Sequence, residues 1–274
     1  MYRLRIGIFI ALIALLAGCG NNASTSEEAG ASQTEIISHD MGSENTVGES
    51  DADDTVEEET GITEQEATVY LKSCATYQDI LDNAYEVIVA DRGADIVVAD
   101  GLFSYIGICE AGIGRDTNEA LSAIGYTLYD VDGNGTEELI IADTGEGVWD
   151  NRIMLMYTLH DGKPVLLIDG WARNKYYLLK DNTIFNEGSG GAAYTIFATY
   201  HMAENGIDLD IIDYYYSGYY GDSEWGWFHN TTGEMTEDES EIIEFEDENT
   251  FINMMDGYYA QVKELELTFF DSMQ

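Results

Sequence analysis

The chain predicts an α+β fold: an antiparallel β-meander, a curved sheet of blade-like hairpins, with N- and C-terminal helices packed on it. Three observations predict it. Between residues 123 and 216, short apolar and aromatic runs alternate with turn signals such as Asp161-Gly162 and Asn205-Gly206, the pattern of successive hairpins. On either side, apolar residues return at intervals of three, four and seven, the period of an amphipathic helix. The composition agrees, because 28 Gly and 19 Tyr against a single Pro suit turns and strands better than a helical bundle.

Residues 1–19 read as a targeting segment. Arg3 and Arg5 open it, and Ile6 to Leu16 is an apolar run shorter than the ~20 residues of a membrane span. It ends in Leu16-Ala17-Gly18-Cys19, which resembles the bacterial lipobox. That resemblance implies cleavage before Cys19, a diacylglycerol on its thiol, and a protein held by lipid on the extracytoplasmic side of the cell membrane. The alternatives are an ordinary secretory peptide and an uncleaved signal anchor.

Residues 20–66 hold no Lys, Arg, Phe, Tyr, Trp or Leu and many Glu, Asp, Ser and Thr. Such a stretch has too little apolar surface to offset ordering entropy, so it predicts a disordered acidic tether. Residues 67–274 are long enough for a single domain with its own core.

Charge narrows the partners. With 53 acidic residues against 11 Lys and Arg, the formal net charge is -42. No basic patch is left to meet phosphates, which excludes nucleic acid. The acidic field gathers divalent cations and is repelled by anionic lipid, leaving the lipid group to anchor the chain. Cys74 and Cys109 are read as a disulfide or, slightly preferred, as two thiols, since no spacing rule joins them.

The entry is helical in period. From Glu64 to Arg92, Val69, Tyr70, Tyr77, Ile80, Leu81, Ala84, Tyr85, Ile88 and Val89 trace one stripe. Thr63 and Glu66 have capping-box spacing, and Gly93 is a plausible stop. This predicts one long helix, or two broken near Cys74-Ala75-Thr76. Ile96 to Gly107 fits helix or strand. Arg115 to Ala123 predicts a short connecting helix, and Glu110, Arg115, Asp116 and Glu119 read as a solvated charge group.

The sheet then opens on a distinctive loop, residues 130–141, Asp-Val-Asp-Gly-Asn-Gly-Thr-Glu-Glu-Leu-Ile-Ile. Asp130, Asp132, Asn134 and Glu138 fall at positions one, three, five and nine of a calcium loop, and Thr136 at seven offers its backbone carbonyl. Gly135 occupies position six, where the chain turns sharply. Position twelve is Ile141 where a bidentate Glu is expected. The flanks, Ile124 to Tyr129 and Leu139 to Ala142, are strand-like rather than helical, so the loop is expected to join two strands, with Glu138 closing a site for one Ca²⁺. The alternative is an acidic turn without metal, since Asp, Asn and Gly are also turn residues.

From Ile124 to Asp143 this run resembles the strand–loop–strand calcium motif of integrin-type FG-GAP repeats. It is more similar to the single Asp-x-Asp-Gly-Asn-Gly loop of uncharacterised lipoproteins of Firmicutes. The resemblance implies a calcium-supported extracytoplasmic domain and no known reaction.

Runs after the loop predict further hairpins: Arg152 to His160 with Pro164 to Ile168, Trp171 to Leu179, Thr183 to Asn186, Ala193 to His201 and Ile207 to Tyr216. Asp143 to Gly147 and Gly188-Ser189-Gly190-Gly191 are expected as turn and loop. The latter lacks the Lys of a phosphate loop, and Glu187 breaks the nucleophile-elbow spacing around Ser189. Tyr214 to His229 is crowded with rings. Most suit packing across a strand pair, while Tyr219, Trp225 and Trp227 are the candidates for a ligand platform. Thr236 to Glu239 has the spacing of a helix start. Phe251 to Phe270 predicts a closing helix with Phe251, Met254, Met255, Tyr258, Tyr259, Val262 and Leu265 inward.

No nucleophile–base arrangement is legible, and His39, His160, His201 and His229 share no metal spacing. The expected function is a lipid-anchored, calcium-stabilised binding domain, with a glycan or an envelope protein as partner. The alternative is a glycan-directed envelope hydrolase with acidic catalytic residues.

Overall fold

A computed structural model of the chain describes residues 67–273, except 91–93, 100–101, 146–149, 192–193, 221–223, 237–239 and 244–247. The targeting segment, Cys19, the tether, the Thr63–Glu66 cap and Gly93 lie outside the described residues.

The chain enters as β1 (Thr68–Tyr70), α1 (Tyr77–Val89) and β2 (Asp95–Val97). The expected long helix is therefore corrected. Its first part is a strand, paired in parallel with β2 through Val69 and Ile96. The true helix start is Thr76, whose hydroxyl accepts from the Asp79 amide while the Asp79 carboxylate accepts from the Thr76 amide. This is a capping box with Asp in place of the usual Glu or Gln. Ile80, Leu81, Ala84, Val87 and Ile88 form the buried face of α1, as the stripe predicts. The ambiguous stretch 96–107 divides between β2 and the start of α2 (Ile106–Ala111).

The connecting helix α3 (Thr117–Ala123) forms where expected, but its charges are not merely solvated. Asp116 and Glu119 cap it, Arg115 pairs with Asp143 at 2.8 Å, and the Glu110 carboxylate accepts from the Ala172 amide. Cys74, which is buried, and Cys109, which is exposed, are not joined in a disulfide.

The sheet follows as β3 (Ile124–Tyr129), β4 (Glu138–Thr144), β5 (Asp150–His160), β6 (Lys163–Asp169), β7 (Asn174–Leu178), β8 (Ile184–Gly191), β9 (Tyr194–Met202), β10 (Leu209–Tyr220), β11 (Glu224–Asn230) and β12 (Glu241–Ile243). After α4 (Glu248–Tyr259) comes β13 (Thr268–Phe269), then a 3₁₀ turn, Phe270–Met273. Eleven strands form one antiparallel sheet in the order β12-β11-β10-β9-β8-β7-β5-β4-β3-β13, with β6 paired to β5 beside that path. The meander and the α+β class are as the sequence predicts. At the β5–β6 turn, Asp161 and Gly162 both have positive φ, 52° and 73°, the backbone of a tight primed hairpin turn.

Three expectations for the sheet and its end are corrected. Gly188 to Gly191 is not a loop but the end of β8, paired across to Ile196, Thr195 and Tyr194. Thr236 is not helical, residues 237–239 lie outside the described residues, and Glu241–Ile243 pairs with β11. The closing helix stops at Tyr259. Val262 and Leu265 still pack inward from the extended chain beyond it.

Register decides which face each side chain takes, because directly opposed residues share a face. Leu139, Ile141, Met154, Leu155 and Tyr157 pack under α1–α3. Tyr177, Phe185 and Phe197 pack under α4. The Ile153–Tyr176 and Tyr177–Phe185 pairings put both helical layers on one face. Ile140, Met156, Ile168, Leu178, Ile184 and Met202 fill the other. The sheet curls around that second face. Strand β9 stands four places from β4, roughly 19 Å if flat. Yet a Cβ on Gly206, in the β9–β10 turn, would lie 3.6 Å from Asn134 in the β3–β4 loop. Register shifts in the β4–β5, β5–β6 and β9–β10 pairings supply the bending that bulges produce.

Candidate metal centre

The loop is the connection of the β3–β4 hairpin. Tyr129 pairs with Glu138, so Asp130, the next residue, is brought beside the first residue of β4. The polar loop then has to close on itself, and it does so through carboxylates. Asp130 Oδ1 accepts from the amides of Gly133 and Asn134, at 2.8 and 3.1 Å, and Oδ2 from Gly135 at 2.9 Å. Asp132 accepts from the Asn134 amide and side chain, at 3.0 and 2.8 Å, and Asn134 Oδ1 accepts from the Thr136 amide at 2.7 Å. Gly133 and Gly135 take φ of 75° and 90°, which a side chain would make costly.

Glu138 is fully buried. Its two oxygens accept from the Val131 amide at 2.9 Å and the Thr158 hydroxyl at 3.0 Å. Burial raises its carboxyl above the usual range, the two hydrogen bonds act against that rise, and Asp132 and Asp130 add to it. Carboxylate oxygens of Asp130, Asp132 and Glu138 all lie within 4.8 Å of one another. Among the described residues no ion pair involves any of the three.

The donor set fits a hard cation. It consists of oxygens alone, and two ligands across an ion at ~2.4 Å stand about 4.8 Å apart. A buried carboxylate flanked by two others is costly until a positive charge joins it. The triad can therefore hold a metal ion, and among the described residues it is the one acidic, His or Cys cluster with that geometry. Ile141, the position-twelve residue, is fully buried among the residues under α1–α3, a place no carboxylate could occupy unpaired. Glu138 reaches the loop instead.

Two supports escaped the sequence reading. The Tyr77 hydroxyl, at the start of α1, lies 3.0 Å from the carbonyls of both Glu137 and Tyr157 and donates to one at a time. Tyr129 donates to Asn182 Oδ1 at 2.9 Å, and the Lys263 ammonium sits over the Tyr129 ring, 4.1 Å from its centre. Tyr77 was visible only as part of a helical stripe, and nothing in sequence spacing marks Thr158 or Lys263.

The aromatic candidates separate. Tyr219 and Trp225 are exposed. Trp227 is half-buried and lies flat on Phe251 of α4, ring centres 3.6 Å apart, so it belongs to the packing beneath. Tyr214, Tyr216 and Phe228 are core. His229 bonds Asp213 at 2.8 Å, while His160 and His201 stand 3.8 Å from Asp161 and Asp210. Each lies on a different strand.

No family model, no curated protein and no solved structure matches this chain.

Proposed function

We propose that the protein is a lipid-anchored extracytoplasmic binding domain whose sheet is stabilised by one Ca²⁺ in the β3–β4 loop. The anchor is diacylglyceryl Cys19, and residues 20–66 are the spacer that lifts the domain from the membrane. The observation that supports the metal reading most is the convergence of Asp130, Asp132 and the buried Glu138. Asn134 and the Thr136 carbonyl complete the oxygen set by their loop positions. Ca²⁺ suits an all-oxygen, carboxylate-rich site whose strand-borne member is held in place by two hydrogen bonds.

Calcium here is structural. Binding only the folded state, it stabilises by mass action. A dissociation constant of about 0.1 mM at about 1 mM external Ca²⁺ contributes about 1.4 kcal/mol. The resemblance to calcium-loop lipoproteins of Firmicutes supports the same reading, with the sequence motif as its basis. Melting the full chain in Ca²⁺ and in EDTA tests it. The expected result is a higher melting temperature in Ca²⁺, abolished by Asp132→Ala. Equal melting in both buffers would remove the metal from the account.

A further inference from the structure

We propose that the cleft between the outer edge of β3 and the chain segment 263–266 binds a zwitterionic dipeptide, with its carboxylate on Lys263 and its amine toward Glu266. The proposal rests on the reading of the domain as a binding module and names its ligand class.

The cleft exists because two segments diverge. Strand β13 pairs with β3 only at Gly125 and Tyr126. Before Thr268 the chain is held elsewhere, since the Lys263 amide donates to the Leu178 carbonyl and the Leu265 amide to Asn151 Oδ1. The gap left between them has a volume of about 320 Å³ and is lined by residues 127–129 and 263–266. That is the small end of the range for ligand cavities, roughly 300–1,000 Å³.

Its walls specify the ligand. Strand β3 pairs with β4 along one edge as far as Tyr129. On the other edge, residues 127–129 have no backbone partner among the described residues. In an antiparallel sheet the N–H and C=O of one residue point to the same side, and the side alternates along the strand. At least one of these three residues therefore presents both groups to the cleft, which an extended peptide backbone can pair with. Leu128, 46% exposed, and Leu265 add apolar surface for its side chains.

Lys263 supplies the charge. Its ammonium is partly buried and donates to Tyr129 Oη and, at 2.9 Å, to Asn182 Oδ1. Among the described residues it takes part in no ion pair. An ammonium carries three N–H donors, so one remains for a carboxylate. Glu264 and Glu266 are exposed on the same wall, where they repel a simple anion and attract an amine.

The two ends set the length. One closes where Thr268 pairs with Tyr126, the other where Lys263 meets Tyr129. Three steps along β3 separate them, roughly 10 Å. Two extended residues span at most about 7 Å, which leaves space for the terminal groups, whereas a longer peptide would have to leave the cleft. With its carboxylate at Lys263, the dipeptide runs parallel to β3.

The test titrates the dipeptide Ala-Leu into the full chain in detergent and Ca²⁺, read by calorimetry. The expected result is saturable binding. Amidation of the carboxylate and acetylation of the amine each weaken it about tenfold or more, with the protein itself untouched. Lys263→Met weakens it as amidation does and makes Ala-Leu and its amide bind alike, and Lys163→Met leaves it unchanged. Four results would overturn the proposal: no saturation at millimolar dipeptide, equal affinity for the amidated or acetylated peptide, equal affinity for acetate alone, or undiminished binding by a Lys263→Met protein that melts as wild type does. The calcium reading fails separately, through melting that ignores Ca²⁺. A protein that Ca²⁺ stabilises but that binds no dipeptide would refute this proposal alone.

Discussion

Replacing Glu138 by Gln should change stability with opposite sign in the presence and absence of calcium. The substitution keeps the shape of the side chain and an oxygen able to accept from Val131 or Thr158. It removes one charge from a group of three whose oxygens lie within 4.8 Å of one another. At an effective dielectric of about 20, two unit charges 4.8 Å apart repel by about 3.5 kcal/mol, and closer ones by more. Solvent around Asp132 and the three amides bonded to Asp130 reduce this, leaving a net relief of about 1 kcal/mol in the metal-free protein. In EDTA, Glu138→Gln should therefore melt about 2–4 °C above wild type. In Ca²⁺ the order reverses. Wild type gains about 1.4 kcal/mol by mass action, whereas a site weakened about a hundredfold by loss of its buried charged ligand gains about 0.1 kcal/mol, which leaves the variant about 0.3 kcal/mol below wild type after its relief of about 1 kcal/mol. Calorimetric melting of both proteins in both buffers gives the four numbers. A shift of the same sign and size with and without Ca²⁺ would show that Glu138 acts through its hydrogen bonds alone, and the ligand assignment would fall.

Two further substitutions probe the frame around the site. Gly107→Ala places a Cβ 2.2 Å from the Gly170 carbonyl oxygen and 3.3 Å from Met154 Cβ, so α2 must move off the β6–β7 connection. The expected loss is about 1–3 kcal/mol, read as a lower denaturation midpoint, and an unchanged midpoint would mean that the contact yields freely. Asp169 is raised above its ordinary range by burial, with a hydrogen bond from Ser104 acting against the rise. A carboxyl raised in the folded state disfavours folding above its folded pKa, and that penalty fades as pH falls toward the unfolded value. Asp169→Asn should thus melt higher than wild type at pH 7, with the gap closing as pH approaches 4. A gap that widens on acidification would contradict the sign.

The spacing of Asp130, Asp132, Asn134 and Glu138 was legible because a metal loop is a local object. Its ligands are fixed by turns within a dozen residues, and Gly133 and Gly135 mark where the backbone must reverse. The hairpins were legible for the same reason, through turn residues such as Asp161-Gly162, as was the inward stripe of α4. The strand Thr68–Tyr70 was not, because Val69 also fits the helical period, and only its pairing with Ile96, across the whole of α1, decides otherwise. The true helix start was missed because its capping box uses Asp79, an abundant residue in so acidic a chain.

The sequence by itself determined the oxygen-rich loop, the order of hairpins and the excess of negative charge. The tertiary structure decided that Glu138 is buried against Thr158, that the β9–β10 turn reaches the loop, and that Tyr219 and Trp225 are exposed while Tyr214, Tyr216 and Phe228 are buried. Burial and cross-strand contact depend on which distant segments meet. Residue period restricts a side chain to one face, but only the curl of the sheet and the position of α4 determine what covers that face.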